Sequence, residues 1–527
     1  MKPSRVLRNT LLATTLVGAL TLTACSGGGE SPKGGDGEPF VVTATINDQP
    51  ANLDAHLTQV QKVAEITRPI FETLLTIDEN YEIQPMLAES YERSDDGLTY
   101  TFNLREGLTF HDGSDLDATD VVASMERWTR LTAPGINDFA GATWKEIDPL
   151  TVELKVETPS FLHELQLGGR LLNVPAIMPS EVIEAAGDDP IEEVIGSGPY
   201  KFEEWVPDQK LTLSKWDDYQ SVEAPSSGLA GKKEATVDEI VFEFLEDVTT
   251  PVAGLQTGQY DVVLGAAHDL LPQLEGDDKV DLGIYMYGLQ NVAYNIHSGP
   301  AADVKLRQAM NMAYDRDEMM TAAVGSDKYY TLIHDNMAAP WQAVWNTEVG
   351  KKDYNSVDIE GAKALIAESD YNGEPLTLIV SSHSHNASAV AVVLQDQMAK
   401  IGVNVEIESM EWAAFIDRYL NDYDSWDLGI ITQAVKNEPT QTIGWVSNNP
   451  GYQDGDAELE RLEKAYRGAP TLAEAQDLYG EIQQYIEDLR PLSRLGDTHE
   501  MWAASTSLDN FEVFDASVLW WKITPAQ

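Results

Sequence analysis

The segment LTLIVSSHSHNASAVAVVLQDQMAKIGVNVEI, residues 376–407, decides the fold class. Its first part, Leu376 to Val380, is an apolar run that predicts a buried strand. Ala387 to Ile401 predicts a helix that ends at Gly402, and Val403 to Ile407 predicts a second strand. A strand, a helix and a strand in this order indicate a right-handed parallel crossover. The chain is therefore expected to be a mixed α/β protein.

The regions on either side of this segment also alternate strands and helices. Phe40 opens a strand, and the alternation of apolar residues from Leu98 to Leu104 predicts another. The turn at Arg105 to Gly107 leads into Leu108 to Phe110, so a hairpin is expected there. Further helices are predicted from a cap at Asp117 or Thr119 through Arg127, from Val304 to Met320, from Asp456 to Tyr466 and from Leu472 to Ile486.

The composition excludes several classes of protein. The chain has 527 residues, with 87 Asp and Glu against 35 Lys and Arg, and a formal net charge of -52. Such a charge repels phosphate backbones, so no nucleic-acid partner is expected. The single cysteine rules out an intramolecular disulfide and a thiolate metal cluster. The sequence indicates no cofactor and no bound metal.

The first 24 residues have the features of an export signal. Lys2, Arg5 and Arg8 form a basic start, and an apolar run follows from Thr10 to Ala24. This run is shorter than the roughly 20 residues that span a bilayer, so it fits a signal sequence rather than a membrane helix. Cys25 follows Leu22-Thr23-Ala24, a pattern that resembles the bacterial lipobox, in which the cysteine carries the lipid. We expect a lipid anchor at Cys25 and a flexible Gly-rich tether up to Pro39.

Seven segments carry a resemblance to a known family. They are IFETLLTIDENYEIQPMLAESYE (70–92), LTYTFNLREGLTFHDGSDLDATDVVASMERW (98–128), IDPLTVELKV (147–156), IGSGPYKFEEW (195–205), LQTGQYDVV (255–263), VKLRQAMNMAYDRDEM (304–319) and KIGVNVEIESMEWAAFIDR (400–418). In this order along the chain, they resemble the extracytoplasmic solute-binding proteins of ABC importers, family 5, the peptide/nickel-type group with oligopeptide- and dipeptide-binding members.

The resemblance implies a two-lobed, type II periplasmic-binding-protein-like α/β fold with an extra domain inserted in lobe I. The implied boundaries are a lipoprotein signal peptide at 1–24, a tether at 25–39, lobe I at 40–82, 198–288 and 505–527, the inserted domain at 83–197, and lobe II at 289–504. By the same resemblance, the protein captures an oligopeptide-like solute between its lobes and delivers it to the permease subunits of an importer. It is then anchored at the extracytoplasmic face of the membrane and catalyses no reaction.

The resemblance also implies which residues line the cleft. In the family, the turn after the first strand, the strand into lobe II, a Glu-Trp pair and a loop before a proline approach the ligand. The matching residues here are Asn47, Asp48, Gln49, Tyr294, Asn295, Glu411, Trp412, Lys436, Asn437 and Glu438. Trp412 offers a broad apolar face to a ligand. The alternative is that Trp412 packs in the core beneath the strand that ends at Glu408.

The loop from Thr432 to Thr440 departs from the peptide-binding pattern. Peptide-binding relatives carry Gly-Trp followed by an Asp that pairs with the peptide ammonium group, whereas this chain has Thr432-Gln433 and places Val435 or Lys436 at the Asp position. Either Glu438 takes over the role of that Asp, or Lys436 meets a carboxylate of a ligand that is not an ordinary peptide. A solvated loop without a role in binding is the third interpretation.

His383 and His385 follow the strand that ends at Val380. In an extended segment both side chains point to one face, a spacing that suits a metal or a metal chelate. Two histidines without a third ligand are a weak signal, and a structural role is the more common one. The ligand classes left open are therefore a peptide, a metal chelate and an oligosaccharide.

Two other functional classes are possible for an exported chain of this length. A secreted hydrolase would need a catalytic motif, and the sequence has no G-x-S-x-G, S-x-x-K or HExxH motif. An acidic adhesion or structural protein would be expected to have repeats or Thr/Pro-rich stalks, and neither is present. No catalytic residue is therefore assigned.

Overall fold

In the computed structural model of the chain, the described residues are 39–47, 49–58, 60–169, 172–245, 247, 249–266, 268–334, 337–338, 342, 345, 347–382, 384–434, 438–439 and 456–527. The predicted signal peptide, the lipid-anchor residue Cys25 and the tether up to residue 38 lie outside these ranges. Across the described ranges, no helix is both long enough and apolar enough to cross a bilayer.

The strands and helices are numbered here along the described chain. The strands are β1 Val41–Ile46, β2 Leu75–Ile77, β3 Ile83–Pro85, β4 Ala88–Arg93, β5 Thr99–Leu104, β6 Thr143–Asp148, β7 Thr151–Lys155, β8 Tyr200–Val206, β9 Lys210–Lys215, β10 Glu239–Phe244, β11 Val262–Leu264, β12 Val280–Tyr294, β13 Tyr330–Thr331, β14 Leu376–Ser381, β15 Val405–Met410, β16 Leu428–Ala434, β17 Leu492–Ser505, β18 Leu508–Asp509, β19 Val513–Phe514, β20 Ser517–Val518 and β21 Thr524–Pro525. The helices are α1 Gln61–Thr67, α2 Ala118–Leu131, α3 Ala133–Asp138, α4 Leu162–Leu167, α5 Ser180–Ala186, α6 Thr250–Thr257, α7 Leu271–Leu274, α8 Val304–Met312, α9 Arg316–Val324, α10 Ile359–Ile366, α11 His385–Lys400, α12 Trp412–Asn421, α13 Ala457–Arg467 and α14 Leu472–Leu489.

One large sheet runs through both lobes of the molecule. Its order is β15-β14-β16-β12-β17-β11-β1-β10-β9-β8, with β13 paired beside β17. We call the part from β11 to β8 lobe I and the part from β16 to β15 lobe II. β12 and β17 pair with each other between the lobes, from Val280↔Ser505 to Ala293↔Leu492. We call them the connecting strands.

Each lobe has its own apolar core. In lobe I, Val42 and Ile240 on the sheet pack in one cluster with Trp520 and Ile523 from the end of the chain. In lobe II, Val292, Leu378 and Leu394 belong to a second cluster, into which α11 packs. Both chain ends of the described region therefore belong to lobe I, which agrees with the two-lobed fold expected from the sequence.

The inserted domain is built on a separate four-stranded antiparallel sheet of order β4-β5-β7-β6, covered by α2. The alternation predicted around Tyr100 holds, because Tyr100 and Phe102 are buried in β5 and Val152 and Leu154 are buried in β7. Helix α2 begins at the predicted cap: Asp117 Oδ1 accepts the Thr119 N–H at 2.7 Å, and Asp120 Oδ2 accepts the Asp117 N–H at 3.0 Å.

A buried ion pair attaches this domain to lobe I. The Arg127 guanidinium in α2 donates to Asp54 Oδ2 at 2.7 Å, and both side chains are at most 1% exposed. His56 lies against the same pair, 3.1 Å from Arg127. Burial lowers the pKa of His56 to about 4, which keeps its ring neutral beside the guanidinium.

The predicted crossover at 376–407 is confirmed, since β14 and β15 are parallel neighbours joined by α11. Two other predictions are wrong. The predicted hairpin does not form, because β5 pairs with β4 and β7, whereas Phe110 bonds to Ser114 in a local turn. The predicted helix from Val304 to Met320 is divided into α8 and α9, because Asp315 leaves the helix and caps α9 by accepting the Glu318 N–H at 3.0 Å.

Candidate functional site

The parallel strands of both lobes end at the same place on the connecting strands. β1 and β10 run parallel to β11, whose last residue, Leu264, faces Trp502 of β17. β14 and β15 run parallel to β16, whose last residue, Ala434, faces Gly288 of β12. Between these points lie only the pairs Ile284↔Met501, Tyr285↔Glu500 and Met286↔His499.

This convergence marks the region as the candidate site. In open α/β sheets, ligands bind at the carboxyl ends of parallel strands. Here the carboxyl ends in lobe I and in lobe II point toward each other across a few residues of the connecting strands. A solute held there would touch both lobes at once, and the connecting strands would be the hinge of a closing movement. We call this region the cleft edge.

Asn47 lies at the cleft edge in lobe I, directly after β1. Its Oδ1 accepts a hydrogen bond from the Lys62 ammonium group at the start of α1. Lys62 Nζ is also 3.8 Å from Glu500 Oε1, and the Tyr285 hydroxyl donates to Glu500 Oε2 at 2.7 Å. This group of polar side chains joins lobe I to both connecting strands.

Lys62 and Glu500 were not found by sequence reasoning. Each is one of many charged residues, and only the fold brings α1 beside the middle of β17. Their side chains are 13% and 19% exposed. The position of Lys62, at the start of the first helix after the first strand, could have indicated a place near the site. Nothing in the sequence indicated Glu500 as its partner.

Gln49 contacts a turn of lobe I. Its side-chain nitrogen donates to Asp208 Oδ1 at 3.1 Å, and its oxygen accepts the Asp208 N–H at 2.5 Å. Trp205 Nε1 also lies 3.4 Å from that oxygen. The amide therefore ties the segment after β1 to the β8–β9 turn. Asp48, the residue between Asn47 and Gln49, lies outside the described residues.

Glu411 and Trp412 lie at the cleft edge in lobe II, where β15 gives way to α12. Glu411 caps α12 by accepting the Ala413 N–H at 2.9 Å. Trp412 is 52% exposed and stacks on Phe415, with ring centroids 5.7 Å apart. The alternative of core packing for Trp412 is therefore wrong, because more than half of its surface is open to solvent.

The structure does not bring Tyr294 and Asn295 to the cleft edge. Tyr294 faces Leu428 at the far end of β16, six residues or about 20 Å along β12 from Gly288. Its hydroxyl is buried against Tyr314 at 2.9 Å and Ser493 at 3.1 Å. Asn295 is 1% exposed and donates to the Trp426 carbonyl at 2.8 Å. The placement expected for these two residues is thus corrected: both hold the core of lobe II together.

Several predicted site residues are not described by the structure. Lys436, Asn437 and His383 lie outside the described residues. His385 is the first residue of α11, but its side chain is not described. Among the residues that are described, no three His, Cys, Asp or Glu side chains group as a metal site requires. The roles predicted for these residues stay predictions.

Glu438 is described, and it is fully buried beside α13. Its Oε2 accepts a hydrogen bond from the Tyr466 hydroxyl at 3.0 Å. Burial, followed by the charge of Glu438, raises the pKa of Tyr466 well above its ordinary value. The carboxylate also interacts electrostatically with Arg467 in the same helix. Glu438 is therefore part of a buried polar group at the surface where α13 meets the inserted domain.

That surface forms an interdomain contact that sequence reasoning missed. Arg467 of α13 pairs with Asp138 of the inserted domain at 2.5 Å, and the Asp138 side chain is 1% exposed. Phe161 packs on Tyr466 with centroids 5.4 Å apart, and its backbone N–H donates to the Ala469 carbonyl at 3.1 Å. Because α13 and α14 pack beside Leu492 of β17, this contact joins the inserted domain to the part of the molecule around the end of the connecting strands.

The family model of the bacterial extracellular solute-binding proteins, family 5 Middle, matches residues 82–453. The chain belongs to this family. Its fold, with two lobes joined by connecting strands and an inserted domain, is the one that the sequence resemblance implied.

Three similar proteins illustrate the relationship. The probable peptide ABC transporter periplasmic-binding protein y4tO of Sinorhizobium fredii is 28% identical over 480 residues, which is 86% of this chain and 87% of y4tO. The oligopeptide-binding protein AppA of Bacillus subtilis is 25% identical, with 95% of both chains covered. The crystal structure of the ABC transporter substrate-binding protein CtaP from Listeria monocytogenes matches with a TM-score of 0.81 at 21% identity, over 93% of this chain and all of CtaP, and shows the shared fold.

All three relatives are named as binding proteins. Membership of the family makes the chain a bacterial extracellular solute-binding protein. The cleft edge agrees with this function, because it offers an exposed aromatic face and polar side chains from two lobes.

Proposed function

We propose that the chain is the lipid-anchored solute receptor of an ABC importer and that it binds an oligopeptide-like solute. The solute occupies the cleft edge, both lobes close on it, and the closed form delivers it to the permease subunits of the importer. The observation that carries the proposal is the convergence of the strand ends of both lobes on the connecting strands, with Trp412 exposed at that point.

The choice of a peptide is supported by the relatives. The names of y4tO and AppA describe a probable peptide transporter component and an oligopeptide-binding protein. The site also suits such a solute, because the face of Trp412 covers a backbone or a side chain without reading its identity. Asn47 and Glu411 supply polar groups on the two sides.

A thermal-shift screen of the purified protein tests the solute class. Tri- to pentapeptides should raise the melting temperature, because a ligand that binds only the folded state stabilises it. Nickel–histidine complexes and oligosaccharides are the comparison ligands. Stabilisation by either of these and not by peptides would overturn the peptide assignment, and peptide hydrolysis by the protein would overturn the assignment as a receptor.

The lipid anchor is tested separately. Cys25→Ala removes the residue that would carry the lipid, so the protein should move from the membrane fraction to the soluble fraction of the cells that express it. Ser26→Ala is the matched control and should leave the protein in the membrane fraction. An unchanged membrane fraction of Cys25→Ala would contradict the anchor without affecting the binding assignment.

The predicted contacts of the loop after β16 are tested by two substitutions. Lys436→Ala and Glu438→Ala should each change peptide affinity if these side chains meet the solute. Glu438→Ala should also lower the melting temperature, because Tyr466 loses its buried acceptor. Two variants with unchanged affinity would remove this loop from the site.

A further inference from the structure

The two lobes meet on one edge of the connecting strand β17. On this edge, β11 of lobe I pairs with the residues from Trp502 to Ala504, and β13 pairs with Asp497 and Thr498. β13 belongs to lobe II, because Tyr330 is buried in the lobe II core. His499 therefore lies in the gap between the two lobes.

The connecting strands are irregular at the level of His499. His499 faces Met286 of β12, and the register of the two strands shifts between Met286 and Gly288. Such a shift interrupts the ladder of hydrogen bonds and bends the strand locally. A change in the angle between the lobes is therefore expected at this level, where His499 has one lobe on each side.

His499 bonds to both lobes. In lobe I, the His268 ring lies in the 3₁₀ turn His268–Leu270 after β11, and its Nε2 donates to the His499 carbonyl oxygen at 2.8 Å. In lobe II, the Thr331 hydroxyl lies 3.0 Å from His499 Nε2. Because a carbonyl oxygen only accepts, the proton of the neutral His268 ring is on Nε2, and Nδ1 is the position that takes up a second proton.

A tyrosine joins the two lobes directly at the same place. Tyr329, in the 3₁₀ turn Asp327–Tyr329 of lobe II, packs against the lobe II core and also against the apolar cluster around Leu274 in lobe I. Its ring lies against the His268 ring, with centroids 5.0 Å apart. We use the name hinge contact for the contacts made by His268, His499, Tyr329 and Thr331.

The charged groups beside the hinge contact are paired with other groups. On the elements packed against it, the described pairs are Lys328 with Glu275, Arg494 with Asp497, and Asp317 with the Tyr330 hydroxyl. The next residue of β17, Glu500, points to the opposite face of the strand, where it meets Lys62. Within the described part of the chain, no carboxylate bonds to either imidazole ring, so a positive charge on the rings has no direct partner.

The surroundings of His499 favour its neutral ring. Burial, followed by repulsion from His268, lowers the pKa of His499 below its ordinary value of 6.5, and the backbone of Lys328 acts in the other direction. A histidine with a lowered pKa stabilises its contact fully above the ordinary pKa, and this contribution is lost as the pH falls through the lowered value. Acid therefore weakens the hinge contact.

We propose that the hinge contact holds the two lobes together and that protonation of His268 and His499 releases it, so that the receptor captures its solute less well in acid. Two positive rings repel each other across the gap between the lobes. The lobes then separate more widely, and closure on a solute has to bring the charged rings back together. This inference rests on the proposed receptor function and adds a regulation of the same site by the pH outside the cell.

The test compares the pH dependence of the unsubstituted protein with that of His268→Gln and His499→Gln. Glutamine keeps a hydrogen-bonding side chain and stays neutral, so each variant removes one titrating ring. The two conditions are about pH 7.5 and about pH 5.5, on the two sides of the ordinary pKa of histidine.

Two measurements are made at each pH. In small-angle scattering of the solute-free protein, the radius of gyration should be larger in acid, and each variant should show a smaller increase or none. In calorimetric titration with tri-, tetra- and penta-alanine, the affinity of the unsubstituted protein should fall by about fivefold or more in acid, and the variants should lose most of this fall.

His297→Gln is the matched control. His297 is exposed in lobe II just after β12, where its ring contacts Tyr423, and it takes no part in the hinge contact. This variant should keep the pH dependence of both measurements. The melting temperature of each variant at the higher pH checks its folding. A radius of gyration and an affinity of the unsubstituted protein that do not change with pH would overturn the inference without any variant.

The outcomes separate this inference from the proposed function. If the alanine peptides bind but the pH dependence is absent, or is the same in the two hinge variants, the inference falls and the peptide receptor stands. If no alanine peptide binds at either pH, the peptide assignment falls, and scattering of the solute-free protein alone decides whether the hinge contact responds to acid.

Discussion

Trp412 and Phe415 lie one turn apart on α12 and have opposite environments. Trp412 is 52% exposed, whereas Phe415 is 1% exposed and belongs to the core under the helix. Sequence reasoning could identify Trp412 through the family resemblance, but only the structure decided between an exposed and a buried tryptophan. The type of a residue and its spacing in the sequence do not reveal whether its side chain packs against a neighbouring strand or faces solvent.

Trp412→Ala should weaken peptide binding by about tenfold or more and change the melting temperature little, because the lost surface is exposed in the free protein. Phe415→Ala is the control on the same helix and should destabilise the fold by about 3–5 kcal/mol. Calorimetric titration and denaturant unfolding measure the two effects. A Trp412→Ala variant with full affinity would place this side chain outside the site.

Glu65 in α1 is a buried carboxylate that the ligand site does not use. Its Oε2 accepts the Val518 N–H at 2.9 Å and the Ser517 hydroxyl at 3.1 Å. Burial raises its pKa from 4.5 to about 7, against the lowering effects of these hydrogen bonds and of Arg68; Glu500 adds a smaller increase. The folded state therefore holds a proton that the unfolded state releases near pH 4.5.

The sign of the pH dependence follows from this raised pKa. The contribution of Glu65 to stability is fully present below pH 4.5 and is lost as the pH rises through about 7. Glu65→Gln stays neutral, so it should be more stable than the unsubstituted protein at pH 8, by up to roughly 3 kcal/mol, with the advantage vanishing at pH 4.5. Denaturant unfolding at both pH values measures this. An equal difference at the two pH values would contradict the assignment.

At the scale of elements, helix α2 carries two ion pairs. One is buried and attaches the helix to lobe I, and the other is exposed to solvent. Arg127 pairs with Asp54 inside the protein, while Arg130, three residues later, pairs with Asp188 with 53% and 72% of the two side chains exposed. The same helix thus offers an ion pair and its matched control.

Arg127→Met should destabilise the protein by about 3–5 kcal/mol, because it leaves the Asp54 charge buried without its partner. Arg130→Met should cost at most about 1 kcal/mol, because solvent already screens that pair. Thermal and denaturant unfolding of the two variants check the difference. Equal effects would show that the attachment of the inserted domain does not depend on the buried pair.

The elements also show what the sequence could predict. The crossover of β14, α11 and β15 followed from an apolar run, a helical period and a second run, all of which are local. The partners of β5 were missed because its hairpin neighbour is β4, which precedes it, and its second neighbour is β7, which begins only at Thr151. The break between α8 and α9 depends on Asp315, whose N–H donates to Gln397 at 3.0 Å, a partner 82 residues away.

The candidate site was less predictable than the fold for the same reason. Asn47, Glu411 and Trp412 directly follow strands, so a family resemblance places them at the cleft edge. Lys62 and Glu500 come together only because the fold brings α1 beside the middle of β17. Tyr294 was misplaced because a long strand has two ends, and the sequence does not show which end faces the cleft.

At the scale of the whole molecule, the interdomain contact joins the inserted domain to α13. Asp138 accepts hydrogen bonds from Arg467 and, at 3.0 Å, from the Gln166 side chain, within a surface on which Phe161 also packs. Burial raises the pKa of Asp138, and Arg467 acts in the other direction. We expect opening of the lobes to separate these groups, and on that expectation the contact contributes to the balance between open and closed forms.

Arg467→Met should shift this balance toward the open form, because the Asp138 charge gains water on opening when its partner is absent. The radius of gyration of the free protein in small-angle scattering should increase, and peptide affinity should fall. Arg461→Met, on the same helix and in an exposed pair with Glu458, should leave both unchanged. Unaltered scattering and affinity in Arg467→Met would show that the contact does not restrain opening.

The return of the chain end to lobe I has a practical consequence for anyone who wishes to watch the movement in solution. Two fluorescent dyes attached at the two ends of the described region would both move with lobe I. The energy transfer between them would therefore not change when the lobes move. Energy transfer requires one dye on the inserted domain and one on lobe II, and Ile136 and Val392, which are 56% and 60% exposed, are suitable positions. Because Cys25 is the only thiol in the chain, replacing it leaves engineered cysteines at these two positions as the sole targets for labelling.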